Sequence, residues 1–155
     1  MAKVPKPNPL AHARNHLGSY AAALWPPFEL LPHLRLLAEH LEAVERGEID
    51  RLMVFMPPRH GKSVLTSTLY PAWYLGRHTD RSIITSSYSQ ELSLDFGRGV
   101  RSFITDPLHR RIFPGCRIVD DNAAAHRLGI SAGGNYYAVG AGGSITGRGA
   151  DLAAD

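Results

Sequence analysis

The sequence predicts an α/β domain in which crossover helices join the strands of a largely parallel sheet. Three observations lead there. An apolar run of strand length, residues 52–56 (Leu-Met-Val-Phe-Met), passes through a turn into helix-forming residues. A second short run rich in β-branched residues, 82–87 (Ser-Ile-Ile-Thr-Ser-Ser), again precedes a helical pattern. Apolar residues at helical spacing fill the segments around them, and alternating strands and helices favour parallel pairing.

A chain of 155 residues is one domain, long enough to bury a real core. Its formal charge of +3 permits contact with nucleic acid or nucleotide without arguing for it. The single cysteine, Cys116, excludes an internal disulfide framework and a cysteine-rich zinc site, and is expected to pack rather than react. No run of 18 apolar residues predicts a membrane span. The start, Met-Ala-Lys-Val-Pro-Lys-Pro-Asn-Pro, lacks the apolar core of a signal peptide, so a cytoplasmic protein is expected.

Taken in order, residues 1–9 carry three prolines and two lysines and read as an extended lead-in. Residues 10–24 make a short helix that ends before Trp25, Pro26 and Pro27. Leu30, Leu34, Leu37, Leu41 and Val44 then recur at helical spacing, with Gly47 closing an amphipathic helix that packs on the sheet. After the 52–56 strand and its turn, residues 64–75 continue as a helix that Pro71 kinks or divides. The 82–87 strand follows, and Ser87 or Ser89 caps a helix with Leu92, Phe96, Val100, Phe103 and Ile104 on one face. Residues 107–113 form a helical turn stopped by Pro114 and Gly115. Residues 127–132 and 135–140 read as two strands joined by a tight turn at Gly133 and Gly134. A glycine-rich stretch with one arginine, 140–149, comes last, and composition alone makes it a flexible connection.

The chemistry concentrates in residues 56–63, Met-Pro-Pro-Arg-His-Gly-Lys-Ser. Strand, tight turn, then Gly-Lys-Ser opening a helix is the layout of a phosphate-binding loop, in which backbone N–H groups and a helix N-terminus converge on an anion. Gly61 lets the backbone approach the phosphate, Lys62 reaches the outer phosphates, and the Ser63 hydroxyl ligates Mg²⁺. Only half of the consensus is present, because Met56 stands where its first glycine belongs; Pro57 and Pro58 stiffen the turn instead.

Several stretches together resemble one family. These are 56–63, Tyr-Pro-Ala-Trp-Tyr-Leu-Gly (70–76), Ser-Tyr-Ser-Gln-Glu-Leu (87–92), Asp-Phe-Gly-Arg (95–98) and, most specific, residues 133–152 with Thr-Gly-Arg-Gly-Ala-Asp-Leu. They resemble the amino-terminal ATPase domain of the terminase large subunit of tailed bacteriophages, the motor that packages DNA into the capsid. The resemblance covers about residues 25–152, after a lead-in and short helix at 1–24. It implies a P-loop NTPase fold, RecA-like and helicase-like, with three layers and a mainly parallel sheet, incomplete at its carboxyl end. It further implies ATP and Mg²⁺ as cofactors. The implied partners are double-stranded viral DNA, the small terminase subunit, the portal protein and a homo-oligomeric ring. By resemblance Arg59 and Lys62 are catalytic, the Arg59 guanidinium stabilising charge on the transferred phosphoryl group. Pro58, Arg59, His60, Gly61, Lys62, Ser63 and Val64 surround the nucleotide, with Phe28 near the adenine. Ser87, Ser89 and Arg148 are candidates for DNA or subunit contact, although capping accounts equally well for the serines.

The sequence departs from the family at its end. Where members run into a bulky strand ending in paired acids, this chain reads Ala153, Ala154, Asp155, and no nuclease domain follows. The expectation is therefore a partial motor domain, a prophage remnant that holds ATP but hydrolyses it poorly. Alternatives are a non-catalytic nucleotide- or DNA-binding module and a small kinase, for which no acceptor site or basic lid is found.

Overall fold

A computed structural model describes residues 8–124, 126–140 and 149–154. Asn8 opens the first helix, α1 (Pro9–Asn15), by accepting a hydrogen bond from the Leu10 N–H at 3.0 Å, with proline where a missing N–H is harmless. The single helix expected over 10–24 is in fact two. His16 is extended (φ −129°, ψ 116°), and α2 (Leu17–Leu24) begins anew because the Leu17 N–H donates to the Glu42 carboxylate at 2.7 Å instead of to a helical carbonyl. Glu42 lies on α3 (Pro32–Glu45), whose Leu34, Leu37, Ala38 and Leu41 are buried as the spacing requires.

Residues 62–77 form one continuous helical rod in three parts: α4 (Lys62–Val64), a π-helical turn (Leu65–Leu69) and α5 (Tyr70–Arg77). The Tyr70 N–H bonds to the Leu65 carbonyl, five residues back. Widening the helix just before Pro71 lets the rod pass a residue that has no N–H and whose ring would crowd the preceding turn. The rod therefore continues where the sequence suggests a break. Trp73 is fully buried on it, its indole N–H donating to the Ala13 carbonyl at 3.2 Å.

The sheet corrects the expected fold class. It has five strands in the order β2-β3-β4-β1-β5: β1 (Ser82–Ser87), β2 (Ile118–Ala124), β3 (Arg127–Ile130), β4 (Asn135–Gly140) and β5 (Leu152–Ala154). β1 runs parallel to β4 and β5, but β3 is antiparallel to both β2 and β4, so the sheet is mixed. The three-layer, mainly parallel P-loop NTPase architecture is not what this chain builds. Residues 52–56, expected as a central strand, belong to no strand of the sheet. The main core lies on one face, where Ile83 and Tyr136 pair and join the helical side chains, whereas Ile84 and Val139 are buried outside that cluster.

Helix α6 (Gln90–Thr105) packs on β4 and β1 from the core side, and α7 (Pro107–Ile112) follows at once, capped by Asp106. The approach of α6 to β4 is close enough that a Cβ on Gly140 would lie 2.3 Å from the Gln90 nitrogen. Cys116 is fully buried, and burial pushes its thiol up to about 12, so it packs as expected. Among the described residues no helix is long and apolar enough to cross a membrane.

Candidate functional site

The turn before α4 is built by two left-handed residues, Arg59 (φ 65°) and Gly61 (φ 79°). Gly61 tolerates this conformation at no steric cost, while Arg59 holds it against its own side chain. Gly61 is also the residue before the helix, and no side chain caps the N-terminus there. The first helical bond runs from the Leu65 N–H to the Gly61 carbonyl, so the N–H groups of Lys62, Ser63 and Val64 have no partner within the helix. Uncapped donors at the positive end of a helical rod attract an anion.

Lys62 and Ser63 line a cleft of about 1350 Å³ together with Thr66, Ser67, Ser86 and Ser87. The structure thus brings the start of the rod and the carboxyl end of β1 to one cavity, where open α/β sheets commonly bind ligands. Among the described residues the Lys62 ammonium enters no ion pair. The Thr66 hydroxyl donates to the Lys62 carbonyl at 2.9 Å and fixes the first turn. Thr66 escaped the motif reading, although its place four residues after Lys62 puts it on the same helix face.

The other expected residues divide. Pro58, Arg59 and His60 are exposed and stand outside the cleft lining; His60 Nδ1 lies 2.8 Å from the Pro58 carbonyl, and its ring meets His33 edge-on at 5.9 Å. Val64 is half-buried against the core. Phe28 is 5% exposed and packs beside Trp25, with ring centroids 6.2 Å apart, and it does not line the cleft. The Ser89 side chain caps α6 by accepting the Leu92 N–H at 3.2 Å. The Ser87 hydroxyl donates to the Ser89 carbonyl at 2.8 Å and lies 2.9 Å from the Ser93 hydroxyl. Arg148, with the glycine-rich stretch around it, lies outside the described residues.

Three carboxylates line the cleft: Glu45, Asp50 and Asp151. Burial alone would raise Glu45, but hydrogen bonds from Arg77 (2.8 Å) and His78 (2.6 Å) outweigh it and hold the carboxyl below its usual range. Asp151 accepts the Ser82 N–H at 2.8 Å at the amino end of β1, whereas Ser86 and Ser87 mark the other end. Among the described residues no three His, Cys, Asp or Glu side chains gather for a metal. Mg²⁺ carried on a nucleotide needs only one or two protein oxygens besides phosphate and water, and the exposed Ser63 hydroxyl fits that role.

No family model, curated protein or solved structure matches this chain. The resemblance over residues 25–152 therefore rests on its motifs alone.

Proposed function

We propose that this chain binds the polyphosphate of a nucleoside triphosphate, as Mg·ATP, at the uncapped start of α4, as part of a DNA-packaging motor of the terminase kind. One observation carries the reading. Gly61 turns left-handed and leaves the N–H groups of Lys62 and Ser63 uncapped, with both residues on the wall of the large cleft. Lys62 supplies the charge that meets the outer phosphates, and Ser63 the hydroxyl that holds Mg²⁺. The bound metal would offset phosphate charge. Arg59, exposed on the turn beside them, is the side chain free to reach a transferred phosphoryl group.

Binding without rapid turnover is the form of this function that the carboxylates favour. Glu45 and Asp151 are both engaged elsewhere, so a base to orient the attacking water is not at hand among the described residues. Double-stranded DNA near Ser87, Ser89 and Arg148, the small subunit, the portal and a ring of like chains, all in the bacterial cytoplasm, complete the proposal. Calorimetric titration with Mg·ATP tests it. The wild-type chain should bind saturably, and Lys62→Ala should weaken binding about tenfold to a hundredfold, the worth of one charge-assisted hydrogen bond. Steady-state hydrolysis should be slow in both. Rapid Lys62-dependent turnover would refute the non-hydrolytic form, and unchanged affinity in Lys62→Ala would refute the site.

A further inference from the structure

We propose that the cleft beside β5 accepts a strand from another polypeptide, an uncharged apolar segment of about five residues that enters as a sixth strand. Its first wall is residues 52–56. Exposure alternates along them, with Leu52, Val54 and Met56 half-buried on the core, Met53 78% exposed and Phe55 85% exposed. That period of two is the signature of extended chain. Yet the main chain of these five residues makes no hydrogen bond to any described residue. Backbone groups in a half-buried segment ordinarily find partners, so five consecutive residues without one mark a missing strand.

The second wall is β5, which pairs with β1 on one side only and ends the sheet. Met53, Val54 and Phe55 line the same cleft as Leu152, Ala153 and Ala154, so two unpaired backbone edges face one cavity. None of these six side chains carries a charge, which sets the chemistry of the occupant. Its side chains would meet half-buried Leu92 and Phe96 and the buried Tyr70, whose hydroxyl has no partner among the described residues. A second copy offers no such strand among the described residues. Its 52–56 segment is held by Leu52, Val54 and Met56, and its β5 has only three residues and is already paired.

NMR-detected amide exchange on the full chain tests the proposal. The probe is a synthetic peptide, acetyl-Gly-Thr-Val-Val-Val-Ile-Thr-Gly-amide, with a control in which lysine replaces alternate valines. The apolar peptide should slow exchange about tenfold or more at alternate amides in 52–56 and 152–154, and the lysine peptide should not. Phe55→Lys, at an exposed position that leaves the core intact, should abolish the protection. Absence of protection, or equal protection by the charged peptide, overturns the proposal. So does protection already present in the free chain, which would mean that the chain fills its own cleft. Protection that grows with protein concentration alone overturns it too, in favour of pairing between copies.

Discussion

Gly61 and Arg59 show how much of the site is decided by single backbone angles. Both are left-handed, and a Cβ at position 61 would meet Leu34 Cδ1 at 3.2 Å. Gly61→Ala should therefore cost about 1–2 kcal/mol in urea unfolding, from strain in the turn, and should weaken Mg·ATP binding in the same sample. His109 offers an independent check on the core. Fully buried, it lies 2.7 Å from the Tyr20 hydroxyl, which donates to the neutral ring, and burial pulls it from 6.5 down to about 4. Asp106 opposes that shift and Arg110 adds to it. Its folded value lies below its unfolded one, so between these two pH values the unfolded chain binds more protons. The stability is complete above pH 6.5 and lost as pH falls toward about 4. The loss is on the order of 3 kcal/mol, at about 1.4 kcal/mol per unit. Thermal unfolding across this range should show that slope, and the double variant Tyr20→Phe, His109→Leu should flatten it. The sequence made Gly61 legible through its motif. It could not show the left-handed Arg59, because nothing in the residue type favours that conformation.

At the scale of elements, what the sequence shows clearly is what local chemistry controls. The α6 helix starts at its Ser89 cap, α3 follows its leucine spacing, and the β3–β4 hairpin turns at Gly133 (φ 97°). The misreadings are places where distant partners decide. The break at His16 depends on Glu42, twenty-five residues on from Leu17. The 52–56 run has the composition of a buried strand, yet a strand exists only where a neighbour supplies its hydrogen bonds, and none of the described residues does. β2 escaped notice for the converse reason, since it is defined by pairing with β3 more than by its own residues. The π-helical turn shows an element absorbing a local conflict: Pro71 within a rod that tertiary packing keeps intact. The α6–β4 contact yields a prediction at this scale. Gly140→Ala would drive a Cβ into the Gln90 backbone and should destabilise the chain by about 1–3 kcal/mol in denaturant unfolding.

At the scale of the whole molecule, the class was legible and the architecture was not. Strands and helices do alternate, and β1 does pair in parallel on both sides. The antiparallel β2–β3–β4 half makes the sheet mixed, and the main core occupies one face. What survives that correction is the meeting of a helix start with the end of a central strand at one cleft. The most direct measurement of the central claim is an amide NMR titration of the full chain with Mg·ATP. The account predicts that the largest saturable shifts fall on Gly61, Lys62 and Ser63, as phosphate oxygens take up the uncapped N–H groups. Saturable binding that leaves those three amides unmoved while others shift, or no binding at millimolar nucleotide, would contradict it.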